Sequence, residues 1–353
     1  MRKYYLDALR VICIFLLFPF HTFMMYNNWG EGQYVSGTPA IIPSNIIHLT
    51  WPWIMSLMFL IAGIATRHAL KKRTPLQYVK ERFLRLFLPA FCSIILLIPF
   101  LTYLADITNN GYDGTYIEHY QVFFTRFTDL TGYDGGFTPA HLWFLLYLVV
   151  ISLAALPIML LFRKKFGEKE LKKTSLPFLI CLGFVPALSS GLINIGGKSL
   201  SQFFFTFLVG YFILARNEIL EQLEKHKFLL LALAVIFGTG YLLVASQTNG
   251  LLFDVFYFSY SWLAVLSALG LAYRCFRANS RALSYFSDIS FLVYIFHYPC
   301  LLAVAYFFIP KVNHLLLQIV VIIVASIALT LALVETIKRI PVVRTLFGYK
   351  RKC

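Results

Sequence analysis

Charge is what this sequence is short of. Asp, Glu, Lys and Arg make up only 13% of its 353 residues, whereas a soluble globular domain carries about 25%. Acids are scarcer still, with 16 Asp and Glu against 31 Lys and Arg, for a net charge of +15. Cysteine pairs are missing as well. Cys13, Cys92, Cys181, Cys275, Cys300 and Cys353 are scattered through apolar segments or beside basic clusters with no CxxC spacing, which excludes a disulfide framework and a zinc site. No Pro/Gly/Ser-rich linker and no repeat of fixed period divides the chain, so residues 1–353 are read as a single membrane domain with no appended soluble domain. The basic residues form no single patch either. They fall in short clusters between apolar runs, the pattern of topology signals, so nucleic acid is excluded as a partner.

What is abundant is apolar. Hydrophobic residues fill 59% of positions, and their runs recur along the whole length, so the chain requires lipid as solvent. A helix rising about 1.5 Å per residue needs roughly 20 apolar residues to cross about 30 Å of hydrocarbon. Ten windows satisfy this, centred on Ile14, Met58, Ile95, Val150, Gly183, Val209, Val235, Leu266, Ile295 and Val324. The fifth, interrupted by Pro177, Pro186 and Gly191, is the weakest. The fold class expected is an all-α polytopic membrane protein of about ten transmembrane helices. Of the 31 Lys and Arg, only Arg126, Lys198 and Lys311 fall in the odd loops, while Glu31, Asp106, Asp113, Glu118, Asp129, Asp134 and Asp254 gather there. By the positive-inside rule both termini are expected in the cytoplasm of a bacterial cell, the protein being multi-pass in the cell membrane. The first apolar run lacks a small-residue cleavage site and is read as a retained helix.

That first helix carries the most informative residues, because ionisable groups within a span are costly and usually functional. From Arg10 to His21 is eleven steps of about 100°, three turns plus about 20°, so the two side chains share a face about 16 Å apart along the axis. Asp7, three residues before Arg10, is placed to pair with the guanidinium. A plainer reading makes Asp7 and Arg10 a helix-end pair and His21 a satisfied core histidine; the shared face favours function. Pro19 is expected to loosen the helix just before His21.

An Arg, ten residues and a His in the first span, preceded by Leu-Asp-x-Leu, resembles the acyltransferase-3 family of membrane acyltransferases, which modify exported sugars. Three further elements carry the resemblance. Arg82 and Arg85 form an Arg-x-x-Arg pair in Glu-Arg-Phe-Leu-Arg-Leu-Phe-Leu-Pro, His141-Leu-Trp143-Phe-Leu opens the fourth span, and Tyr294-Ile-Phe-His297-Tyr-Pro lies in the ninth. The His-Leu-Trp-Phe-Leu form is most similar to glucan-modifying members. Many polysaccharide O-acetyltransferases of the family carry an acid shortly after that Trp, where this chain has Leu146, Tyr147 and Leu148.

The resemblance implies transfer of an acyl group, acetyl or succinyl, from cytosolic acyl-coenzyme A to a hydroxyl of a saccharide, with membrane lipids and the glycan as partners and no metal. A homo-oligomer is compatible with it. His21 then serves as general base, its reference pKa of about 6.5 letting it accept and return a proton, or as a nucleophile that carries the acyl group. Arg10 and Asp7 complete the catalytic set. Arg82 and Arg85 are assigned to the donor phosphates, against the ordinary role of a positive-inside anchor, since Arg forks suit phosphate. His141, Trp143 and His297 are candidates for acceptor contact or for supporting the base, Trp143 being equally suited to an aromatic belt. The Gly-, Tyr- and Asp-rich segment from Asp106 to Phe137 is a weaker acceptor candidate. The alternative is a secondary transporter or glycan exporter in which Asp7, Arg10 and His21 relay protons.

Overall fold

The structure, a computed structural model, describes residues 3–166, 174–245 and 250–349. Arg2, Lys169, Lys172, Lys173, Lys350, Arg351, Lys352 and Cys353, counted among the basic clusters and cysteines above, lie outside the described residues.

The chain is helical almost throughout, as lipid demands of a backbone that must satisfy its own hydrogen bonds. Helix α1 spans Tyr4–Met24 and α2 Ile41–Leu70; then come α3 (Pro75–Arg82), a π-turn over Phe83–Phe87, α4 (Leu88–Leu96), α5 (Ile98–Asn110) and α6 (Tyr116–Thr125). Helix α7 spans Trp143–Phe166, followed by α8 (Leu176–Cys181), α9 (Phe184–Ser189), α10 (Leu200–Val209), a second π-turn at Gly210–Leu214, and α11 (Asn217–Lys225). Helices α12 (Lys227–Val244), α13 (Leu251–Cys275), α14 (Arg281–Phe308), α15 (Leu315–Arg339) and α16 (Pro341–Leu346) complete the order. Among the described residues the single sheet is a two-stranded hairpin, β1 (Asn194–Ile195) with β2 (Lys198–Ser199). Its turn is Gly196-Gly197, at φ +55° and +72°, the left-handed conformation that a two-residue hairpin requires and glycine supplies.

Among the described residues, eight helical stretches are long and apolar enough to cross a membrane. The fold class is therefore the one expected, and the two windows that fall short are instructive. The fifth is two short helices, α8 and α9, with Pro177 in the first turn of α8 and Pro186 in that of α9. The sixth, Leu200–Leu214, meets α11 at 98°, a broken span or a re-entrant turn. Pro19 does not end α1, which continues to Met24.

The chain divides into two compact units that interleave in sequence. The first comprises Met1–Cys13, His48–Arg82 and Tyr147–Ser284; the second comprises Ile14–Ile47, Phe83–Leu146 and Tyr285–Cys353. In the first unit, a Cβ on Gly63 would strike the Phe207 carbonyl oxygen and one on Gly210 the Leu60 carbonyl oxygen, so these glycines let the backbones of α2 and the sixth segment touch. Phe59 stacks on Phe203 at 4.6 Å beside this crossing. The Ser261 hydroxyl donates to the Pro52 carbonyl at 2.6 Å and the Trp262 indole to the Leu179 carbonyl at 2.9 Å, polar ties that suit helices packed where lipid offers no partner.

The second unit is built around α14, buried without interruption from Leu292 to Leu302. It also holds the segment between α5 and α7, which is ordered by polar contacts. Thr115 and Glu118 form a capping box at the start of α6, the Glu118 carboxylate accepting from the Thr115 N–H at 2.7 Å. The Asn109 amide donates to the carbonyls of Gln33 and Tyr133, both at 2.9 Å. Arg126 donates to the Asp134 carbonyl and lies 3.4 Å from the Asp106 carboxylate. Buried His119 approaches the same carboxylate to 3.3 Å without the alignment of a hydrogen bond, and burial, opposed by Asp106, lowers its pKa from the ordinary value.

Candidate active site

Three histidines distant in sequence meet in the second unit. His21 comes from α1, His141 from the turn Ala140–Leu142 that leads into α7, and His297 from the buried centre of α14. The His297 ring lies 5.4 Å from that of His21 and 5.1 Å from that of His141. Tyr298, the next residue on α14, stacks on His21 with centroids 4.2 Å apart and an interplanar angle of 26°, and meets His141 edge-on at 5.4 Å. Phe18 packs against His297 at 5.6 Å, and Tyr34 closes on Tyr298 at 5.6 Å.

Hydrogen bonds to main-chain carbonyls fix the direction of two of these rings. His297 Nδ1 lies 2.7 Å from the Tyr294 oxygen, and His141 Nε2 lies 3.0 Å from the Ile295 oxygen. A carbonyl accepts only, so each of these nitrogens carries the proton. The opposite nitrogens, His297 Nε2 and His141 Nδ1, are then lone-pair acceptors in the uncharged ring, and both are buried without a protein partner among the described residues. The Tyr294 hydroxyl donates to the His141 carbonyl, tying that residue to α14. His21 differs in being partly exposed as a residue. Tyr34 is buried, and burial together with the neighbouring Tyr133 raises its pKa well above the ordinary value, so its hydroxyl remains a donor, to the Thr131 carbonyl at 2.7 Å.

Arg10 bonds as its spacing from Asp7 predicts, Nη1 donating to Oδ1 at 3.1 Å, with its side chain 34% exposed. Both belong to the first unit. Arg82, in that unit too, donates from Nη2 to Thr66 Oγ1 at 2.9 Å and lies over the Tyr78 ring at 4.6 Å. Arg85 is exposed within the π-turn of the second unit. Arg82 ends α3 and Arg85 lies within the π-turn, which winds more widely than an α-turn, so the two are not related by ordinary α-helical spacing. Trp143 opens α7, partly exposed, two residues beyond His141.

Tyr298 and Tyr34 escaped the sequence reading. Tyr298 had a signal, standing beside His297 in the same run; Tyr34 had none. Among the described residues no group of three or more His, Cys, Asp or Glu is arranged to hold a metal.

Helix and cluster geometry define a polytopic α-helical membrane protein with three imidazoles gathered in one unit, and comparison with known proteins supplies the class. A sequence profile described as an acyltransferase domain matches residues 3–335, so the chain belongs to the acyltransferase-3 family and is a membrane acyltransferase. It is 23% identical over 377 residues to glucans biosynthesis protein C of Salmonella heidelberg (strain SL476), covering 99% of this chain and 95% of that protein. Identity to the protein of the same name from Salmonella schwarzengrund (strain CVM19633) is 24% over 378 residues, with the same coverage. No solved structure matches. Family membership decides for an enzyme over the transporter alternative.

Proposed function

We propose that this acyltransferase moves an acyl group, acetyl or succinyl, from a cytosolic acyl-coenzyme A, in the first place acetyl-coenzyme A, to a hydroxyl of an exported or cell-surface saccharide. The glucan-related name of its relatives supports the acceptor class. The skew of Lys and Arg to one set of loops supports cytoplasmic termini and hence a cytosolic donor.

The observation that carries the proposal is the stacked, partly exposed His21 beside two buried rings whose acceptor nitrogens lack protein partners. His21 takes the proton from the acceptor hydroxyl as its oxygen attacks the thioester carbonyl carbon. The carbon–sulfur bond then breaks and the proton passes to the departing thiolate, leaving an ester on the sugar and coenzyme A as the free thiol. His141 and His297 accept hydrogen bonds from neighbouring sugar hydroxyls and orient the one that reacts. Trp143 stacks on the acceptor. Arg10, oriented by Asp7, and Arg82 with Arg85 attract the anionic donor.

The test is His21→Ala, with His21→Gln as a variant closer in shape, expressed in cells from which the intact gene has been removed. Acylation read by mass spectrometry of surface glycans should fall at least about a hundredfold in both. Normal acylation by a variant that purifies as a monodisperse, helical protein removes His21 from the chemistry.

A further inference from the structure

Helix α6, Tyr116–Thr125, is too short to cross a membrane, yet its side chains sort into three arcs. With about 100° between successive residues, His119 and Phe123 fall on one side of the helix and are buried. Glu118, Gln121 and Thr125 share a second arc, about 60° wide, and are exposed. Between these two, Tyr116, Tyr120, Phe124 and Ile117 fill an arc of about 100° that carries no charge. This apolar arc is open too. Ile117 is 82% exposed, and Phe127, just past the helix end, is 63% exposed. The rings form a ridge along it, Tyr116 and Tyr120 with centroids 6.4 Å apart and Tyr120 and Phe124 5.3 Å apart.

A polar tie sets the depth of the ridge. The Tyr120 hydroxyl donates to the Ile95 carbonyl at 2.8 Å. Pro99, four residues beyond Ile95, has no N–H to offer that carbonyl, so the tyrosine serves a group the helix leaves open. Ile95 lies inside Pro75–Asn110, one of the stretches long and apolar enough to cross a membrane, about 22 Å by helical rise from Asn110. Tyr120 therefore reaches down the flank of a span, and the ridge that contains it lies at the same level. A loop surrounded by water would leave this much aromatic and aliphatic surface exposed at a cost. A helix with one side on protein, one apolar arc and one polar arc instead matches the boundary between hydrocarbon and water, where Tyr is enriched.

We propose that α6 is an interfacial helix whose partner is the lipid bilayer. Tyr116, Ile117, Tyr120, Phe124 and Phe127 enter the region between headgroups and acyl chains, while Glu118, Gln121 and Thr125 face water. The lipid contact holds the segment between α5 and α7 at the membrane surface, and with it Thr131 and Tyr133, which meet Tyr34 beside Tyr298. It is independent of the reaction proposed above.

The experiment places nitroxide labels on single cysteines in the full-length protein, its native cysteines replaced, in nanodiscs of phosphatidylcholine. Ile117→Cys and Phe124→Cys report on the apolar arc, Gln121→Cys and Thr125→Cys on the polar one. Collision with oxygen, which concentrates in hydrocarbon, should exceed collision with a water-soluble nickel chelate by at least about threefold on the apolar arc and fall below it on the polar arc. Preference for the chelate on the apolar arc overturns the proposal. So does shielding of that arc from both reagents, which would reveal a protein surface over the ridge. If the cysteine-free protein does not fold, hydroxyl-radical footprinting of the wild type in the same nanodiscs decides. Corrected for intrinsic reactivity, Ile117 should be modified at least about threefold less than half-buried Tyr133, and equal or greater modification overturns the lipid contact.

Discussion

At the scale of single residues, the site depends on which nitrogen of each imidazole bears the proton, and carbonyl oxygens make that choice for His141 and His297. His21 is held by stacking on Tyr298, a contact that supports the plane of the ring and leaves its edges open for proton transfer. Under the proposed function Tyr298 is a positioning residue. Tyr298→Phe keeps the ring and should retain activity within about threefold, while Tyr298→Leu should lower kcat about tenfold or more with a smaller change in KM. Equal kinetics for Leu and Phe at this position would show that stacking has no part in catalysis. Of this arrangement, His21, His141 and His297 were legible in the sequence, because an ionisable group in an apolar run stands out. The stacking was not, since Tyr298 is one of 21 tyrosines and its partner lies 277 positions away.

At the scale of elements, length and hydropathy located every apolar segment, because each long helix must match the bilayer by itself. They did not give the right-angled bend after Leu214, nor the π-turn that begins after Arg82 and contains Arg85, because single-turn changes of winding have no periodicity to detect. Helix α6 was hidden for another reason: its residues are polar and aromatic, and its capping box and buried His119 act only once the segment has folded against Asp106. Its histidine gives this element a pH dependence. The folded pKa is lowered, so as pH falls through about 6.5 the unfolded chain binds the proton first and stability declines toward the depressed folded value. The unfolding temperature at pH 5.5 should lie below that at pH 7.5, and His119→Gln should shrink the difference. An undiminished difference in that variant would assign the pH dependence to other groups.

At the scale of the whole molecule, two compact units draw their segments alternately from the chain, and each contains part of what the sequence assigned to one site. The first holds Asp7, Arg10 and Arg82; the second holds the imidazole cluster and Arg85. Composition revealed the membrane solvent and short motifs carried one family resemblance, but neither showed this division, which depends on contacts between segments more than a hundred residues apart. The skew of basic residues makes an orientation testable throughout. In a background without the native cysteines, Asp113→Cys should react with a membrane-impermeant maleimide in intact cells, and Lys164→Cys only after permeabilisation. The reverse pattern would place the termini outside and rule out a cytosolic donor.

The two lone pairs at His141 and His297 have a thermodynamic consequence. A buried acceptor left without a donor costs about 1–3 kcal/mol, and neither nitrogen finds one on the protein among the described residues. A hydroxylated ligand that satisfies these nitrogens relieves this and binds only the native form. Oligosaccharide should therefore raise the melting temperature of the wild type, and should raise it less when leucine replaces His141.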